Sequence, residues 1–119
     1  MRSVVLILAG AILLTTAACT NSSEQITKEA LLRAHLTQMR EALDKYYSDN
    51  GNYPYAIHDL VPGHLPTIPV DPFTGRNNTW VVVYEDIITH SGPPPKPGIY
   101  DIKSGAAGVT KDGLPINEL

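Results

Sequence analysis

The chain predicts an α+β domain, in which a long N-terminal amphipathic spine helix packs on a small antiparallel β-sheet and proline- and glycine-rich loops fill the rest. Three observations carry that expectation. Leu32, Leu36, Met39, Leu43 and Tyr46 or Tyr47 recur at spacings of four, three, four and three or four, which lines one helical face. The stretches "TWVVVYED" and "GIYDIKS" are β-branched and aromatic, and the second alternates, so both read as strands. Ten prolines and nine glycines punctuate the loops, where they restrict a backbone that no internal disulfide can hold.

The first element is a leader. Met1 and Arg2 precede an apolar run over residues 4–14 and small residues up to Ala18, the layout of a secretory signal. A helix over residues 4–18 covers roughly 22 Å at about 1.5 Å per residue, short of a hydrocarbon core of about 30 Å. Cys19 is the only cysteine, so it is incidental, intermolecular or modified. With Ala17 and Ala18 directly before the thiol, the segment resembles a bacterial lipoprotein signal, in which the cysteine is diacylated and becomes the new N-terminus. Thr16 stands where that motif usually has leucine. An ordinary signal peptide and a retained membrane helix are the alternatives. The expected organisation is a removed signal over 1–18, a flexible tether over 19–26 and one small domain over 27–119. Its net charge of −3 argues against nucleic acid and against a polybasic membrane patch.

The spine helix is expected over residues 27–49, about 35 Å long, with Thr27 or Ser23 as its cap. Arg33, Arg40, Glu41, Asp44 and Lys45 fall largely off the apolar stripe, and Glu41 precedes Lys45 by four, the favourable order for a surface pair. "SDNGNYP" stops it, because Asn50 and Gly51 tolerate a left-handed turn and Pro54 cannot continue a helix. Tyr53 and Pro54 then redirect the chain and set an aromatic ring against the helix end. "YAIHDLVPGHL" allows one helical turn packed through Ile57, Leu60 and Val61. In "PTIPVDPFTGRNNTW", Pro69 and Pro72 fix φ on either side of Asp71, whose carboxylate can accept backbone N–H bonds in the turn to Gly75. Trp80, the sole indole, closes the end of the core. Between the strands, "IITHSGPPPKPG" is an extended surface excursion, and "GAAGVTKDGLPINEL" is a glycine-punctuated loop.

In this order and spacing, "DNGNYP" and "PVDPFTG" followed by a hairpin ending in "GIYDIKSGAAG" resemble the globular part of type IV pilin-like proteins. The nearest resemblance is to the major pseudopilin of type II secretion, the GspG-like family, over about residues 31–113. It implies a pilin-like fold in which Gly51, Tyr53, Pro54, Pro69, Asp71, Pro72, Gly75 and Trp80 form the structural motif. Two departures matter. A pseudopilin leader ends in glycine before a long apolar helix with glutamate at its fifth residue, whereas here Gly10 is followed by Ala11 and the fifth residue is Thr15. "CTNSSEQ" also interrupts the apolar run, so leader and spine are not expected to form one rod. Cys19 is therefore the expected lipidation site, its two acyl chains replacing the pilin helix as membrane anchor. The resemblance also implies a calcium site after the last strand. Ala107 and Lys103 stand where a carboxylate and a serine are expected, which leaves Asp101 and Asp112 as weak calcium candidates, with Glu118 and backbone carbonyls nearby. Simple turn-forming aspartates and no cofactor are the favoured expectation.

Other constellations are sparse. His58 beside Asp59 lacks the partner motifs of a metal phosphohydrolase, and His35, His64 and His90 lack zinc-site spacing. No G-x-S-x-G elbow or phosphate loop is present, so no enzyme and no small-molecule substrate are expected. "SGPPPKPG" has the composition of a polyproline ligand but reads as solvated loop. The expected role is structural: a pseudopilin-like lipoprotein in the bacterial envelope, its domain in the periplasm. Expected partners are the membrane through the lipid, and other pseudopilins or secretion components through the helix face near Arg33, Arg40 and Asp44 and through the sheet edge. A free-standing periplasmic binding lipoprotein and a membrane-retained fibre subunit are the alternatives.

Overall fold

The computed structural model describes residues 8–88 and 91–119, with side chains from residue 22 onward. In chain order the elements are α1 (Leu8–Asn50), a 3-10 helix (Ile57–Leu60), β1 (Val81–Tyr84), β2 (Ile99–Lys103) and a second 3-10 helix (Ile116–Glu118). The architecture is α+β, one long helix against a two-stranded antiparallel sheet.

At 43 residues α1 is about 65 Å long, and among the residues whose side chains are described it packs from Glu29 onward. Leu32, Leu36, Met39 and Leu43 are buried, the face that their spacing predicts, and Ala42 joins them. Against this stripe sit Leu60, Leu65, Ile68, Trp80, Ile99, Ile102, Ala106 and Ile116, which completes one core. Residues 22–28 are exposed apart from the half-buried Gln25. Among the described residues no helix is long and apolar enough to cross a membrane.

The start of the helix differs from expectation. Thr27 does not cap it, because its hydroxyl donates to the Ser23 carbonyl one turn back at 2.9 Å, a bond made from within a helix. Residues 22–26, expected as part of a flexible tether, are therefore helical, and α1 runs on without a break to Leu8. Local polarity did not stop it, since an exposed helical turn keeps its backbone bonds whatever its side chains.

At the other end Gly51 takes φ +77°, and its N–H reaches the Tyr47 carbonyl at 2.8 Å. The following turn, Ile57–Leu60, packs Leu60 into the core and Ile57 and Val61 against it, as expected. In the sheet, Val81 faces Lys103, Val82 faces Ile102 and Val83 faces Asp101, after which the register slips so that Tyr84 faces Ile99. Tyr100 is thereby an extra residue in β2. Without that bulge Ile99 and Ile102, three apart, would point to opposite faces; with it, both are buried.

Glu85 and Gly98 close the mouth of the hairpin. The Glu85 N–H reaches the Gly98 carbonyl at 2.9 Å, and the Gly98 N–H reaches Glu85 Oε2 at 3.0 Å. Only glycine fits there, because a Cβ would lie 2.7 Å from Tyr53 Cβ and 2.8 Å from the Tyr53 carbonyl oxygen. Beyond it residues 91–97 are exposed, and the Lys96 ammonium sits 4.9 Å from the Tyr55 ring centroid.

Candidate functional site

The Pro-Asp-Pro loop is built around a buried carboxylate. Asp71 is 0% exposed. Its N–H reaches the Arg76 carbonyl at 2.9 Å, and its own carbonyl accepts the Gly75 N–H at 2.8 Å, so the turn closes on both sides. Oδ1 accepts the Phe73 N–H at 2.8 Å, as the turn chemistry predicts, and Oδ2 accepts the Ser104 hydroxyl at 2.5 Å. Ser104 Oγ in turn accepts the Ala106 N–H at 3.1 Å. One carboxylate thus ties the Pro69–Pro72 turn to the chain leaving β2. The Trp80 indole N–H donates to the Pro69 carbonyl at 2.8 Å and pins the same turn from the core side.

The stretch after the helix does a parallel job. The Tyr53 ring lies 4.6 Å from that of Tyr47, against the helix end, and Pro54 is buried with its carbonyl accepting the Ile99 N–H at 2.8 Å. Partial burial pushes the Tyr53 hydroxyl above the usual tyrosine range, and the charges of Asp44, Tyr47 and Glu85 act in the same direction. Spine end and β2 are joined here by backbone and ring together.

The loop that the family resemblance marks for calcium is arranged otherwise. Asp101 Oδ1 accepts Arg40 Nε at 2.9 Å and the Ile102 N–H at 2.8 Å. A guanidinium at that distance already supplies the positive charge a cation would bring. The Asp112 carboxylate is exposed in the turn and takes no part in these bonds, and Ala107 and Glu118 are exposed as well. Among the described residues no three His, Cys, Asp or Glu side chains gather. These donors do not fit the six to eight oxygens that calcium takes.

Arg40, on the helix face expected to meet partners, is engaged within the domain. Besides Asp101 it donates Nη2 to the Ile102 carbonyl at 3.0 Å and Nη1 to Leu119 O at 3.2 Å. It follows Leu36 by four and precedes Leu43 by three, so it flanks the buried stripe, where its stem packs and its head finds acceptors. Glu29 does the same from three residues before Leu32. Glu29 is 8% exposed, and its carboxylate accepts the Lys111 N–H at 2.5 Å and a bond from Gln25 Nε2 at 3.1 Å. Sequence reasoning missed both roles. The signal was a charged side chain at the edge of the stripe, which needs a polar partner where the fold covers it.

The histidines are separate. His58 is exposed, and the neighbouring Asp59 accepts the Ala56 N–H at 3.1 Å, closing the 3-10 turn. His64 Nε2 pairs with Asp49 Oδ2 at 2.9 Å, and its ring lies 5.3 Å from that of Tyr46. The Val70 carbonyl accepts from His35 Nδ1 at 3.0 Å. His90 and the Cys19 side chain lie outside the described residues. Comparison of the chain with known families, curated proteins and solved structures finds no match. The tie points around Asp71, Arg40 and Glu29 thus have to be read from their own geometry. Each joins segments far apart in the sequence through a charged side chain held by internal partners.

Proposed function

We propose that the protein is a lipid-anchored, pilin-like structural component or accessory of a type II secretion or related pilus-type machine, with its domain in the periplasm. One observation supports this most: the domain packs on α1 from Glu29 onward, while residues 22–28, exposed apart from the half-buried Gln25, carry the same helix on toward residue 19. Such a helix is a stalk between anchor and domain. The order of spine, glycine stop, Pro-Asp-Pro turn and hairpin agrees with the pseudopilin resemblance, and the tie points hold that order together. The chain acts by binding, and no residue is assigned a catalytic role.

The anchor is testable directly. Labelled palmitate should enter the wild-type chain, and Cys19→Ala should abolish the label and leave an uncleaved precursor. Incorporation unchanged by the substitution would dispose of the lipid anchor.

A second reading, a membrane-retained fibre subunit, is favoured by the unbroken course of α1 through residue 19. Residues 8–50 are one helix, which agrees with the continuous rod of a pseudopilin. The two readings part on whether residues 1–18 remain on the mature protein.

A further inference from the structure

We propose that the C-terminal loop is a strap locked onto α1 by the Glu29 carboxylate, and that its order does not depend on a divalent cation. The inference goes beyond the secretion reading and stands or falls apart from it.

The loop runs over residues 105–115, and Val109 and Pro115 pair across it. Thr110 is buried and closes it internally, its N–H reaching the Leu114 carbonyl at 2.7 Å and its Oγ1 accepting the Leu114 N–H at 3.1 Å. The Gly113 N–H returns to the Thr110 carbonyl at 3.0 Å, and the Ile116 N–H to the Gly108 carbonyl at 3.1 Å. One amide in this set turns outward from the loop, that of Lys111, and it meets Glu29 Oε1. Gln25 Nε2 bridges the same carboxylate to the Val109 carbonyl at 3.4 Å.

The polarity of this contact decides its meaning. A calcium loop directs carbonyl and carboxylate oxygens at a central cation. Here the loop directs a donor at a carboxylate that belongs to another element, so the negative charge comes from the helix and is met by an N–H. Adding a cation between them would require the Lys111 peptide to turn over. A bond of this kind, from an amide to an ionised carboxylate, is roughly twice as strong as a neutral one. It also spans the chain from residue 29 to residue 111, so it fastens the strap where local bonds cannot.

The test is hydrogen exchange on the full chain in detergent micelles, following the amides of residues 109–114 against those of β2. In the wild type their exchange should be the same in millimolar calcium chloride and in chelator. Glu29→Ala should speed exchange across the loop by about tenfold or more, with β2 unchanged. Glu29→Gln keeps the acceptor and the volume, and should speed it by a smaller factor. Should Glu29→Ala lose β2 protection as well, Glu29→Gln and the wild-type calcium comparison carry the test. Protection that rises with calcium and falls with chelator overturns the proposal, as does loop exchange unaltered in Glu29→Gln and in any folded Glu29→Ala.

Discussion

Asp71 shows what a single buried charge requires. It has no cationic neighbour among its bonds and is held instead by a backbone N–H and by the Ser104 hydroxyl. Removing one donor from a fully buried carboxylate leaves an acceptor unsatisfied, which costs more than the bond itself returned. Ser104→Ala should therefore destabilise the fold by about 2 kcal/mol, read as a lower urea midpoint at unchanged slope. A midpoint equal to wild type would mean that Asp71 is served by other donors. The turn role of Asp71 was legible from the flanking prolines, since the Phe73 N–H lies two residues away. Its partner in Ser104 was not, because that contact spans 33 residues and no local pattern encodes it.

The elements divide in the same way. The apolar stripe of α1, the stop at Gly51, the turn at Ile57–Leu60 and both strands follow from periodicity and turn chemistry, all of which act over a few residues. Gly51 offers a clean test, because a Cβ there would meet nothing within 4 Å while φ is +77°. The strain of a left-handed alanine is then the whole effect. Gly51→Ala should cost about 1 kcal/mol and Gly51→Asn less, as thermal melts of the two variants would show. Equal melting points for glycine and alanine would show that the helix ends otherwise. The N-terminal reach of α1 was hidden because a run of polar residues reads alike as tether and as exposed helix. The work of Glu29 and Arg40 was hidden because their partners lie 82 and 61 residues downstream. Charges at the edge of the stripe were the visible trace of both.

For the whole molecule, the question is what remains to assemble once a leader is gone. Under the pilin-like reading proposed above, fibre contacts would rest mainly on the apolar N-terminal helix, and cleavage before Cys19 would remove its apolar part. The mature protein should then be monomeric or weakly associated by analytical ultracentrifugation. Expressed in a secretion operon lacking its own major pseudopilin, it should leave sheared surface fractions free of fibres. Fibres that contain it with residues 1–18 attached would establish the membrane-retained reading instead. The hairpin mouth bears on how such a chain can change over evolutionary time. Glu85 and Gly98 grip each other through both backbone and side chain, so the strands are paired before the excursion beyond them is specified. Closing a longer loop across a fixed mouth costs little, about 0.6 kcal/mol for each doubling of length. Insertions between residues 91 and 97 are accordingly cheap, and new recognition sequences can be acquired there without renegotiating the core.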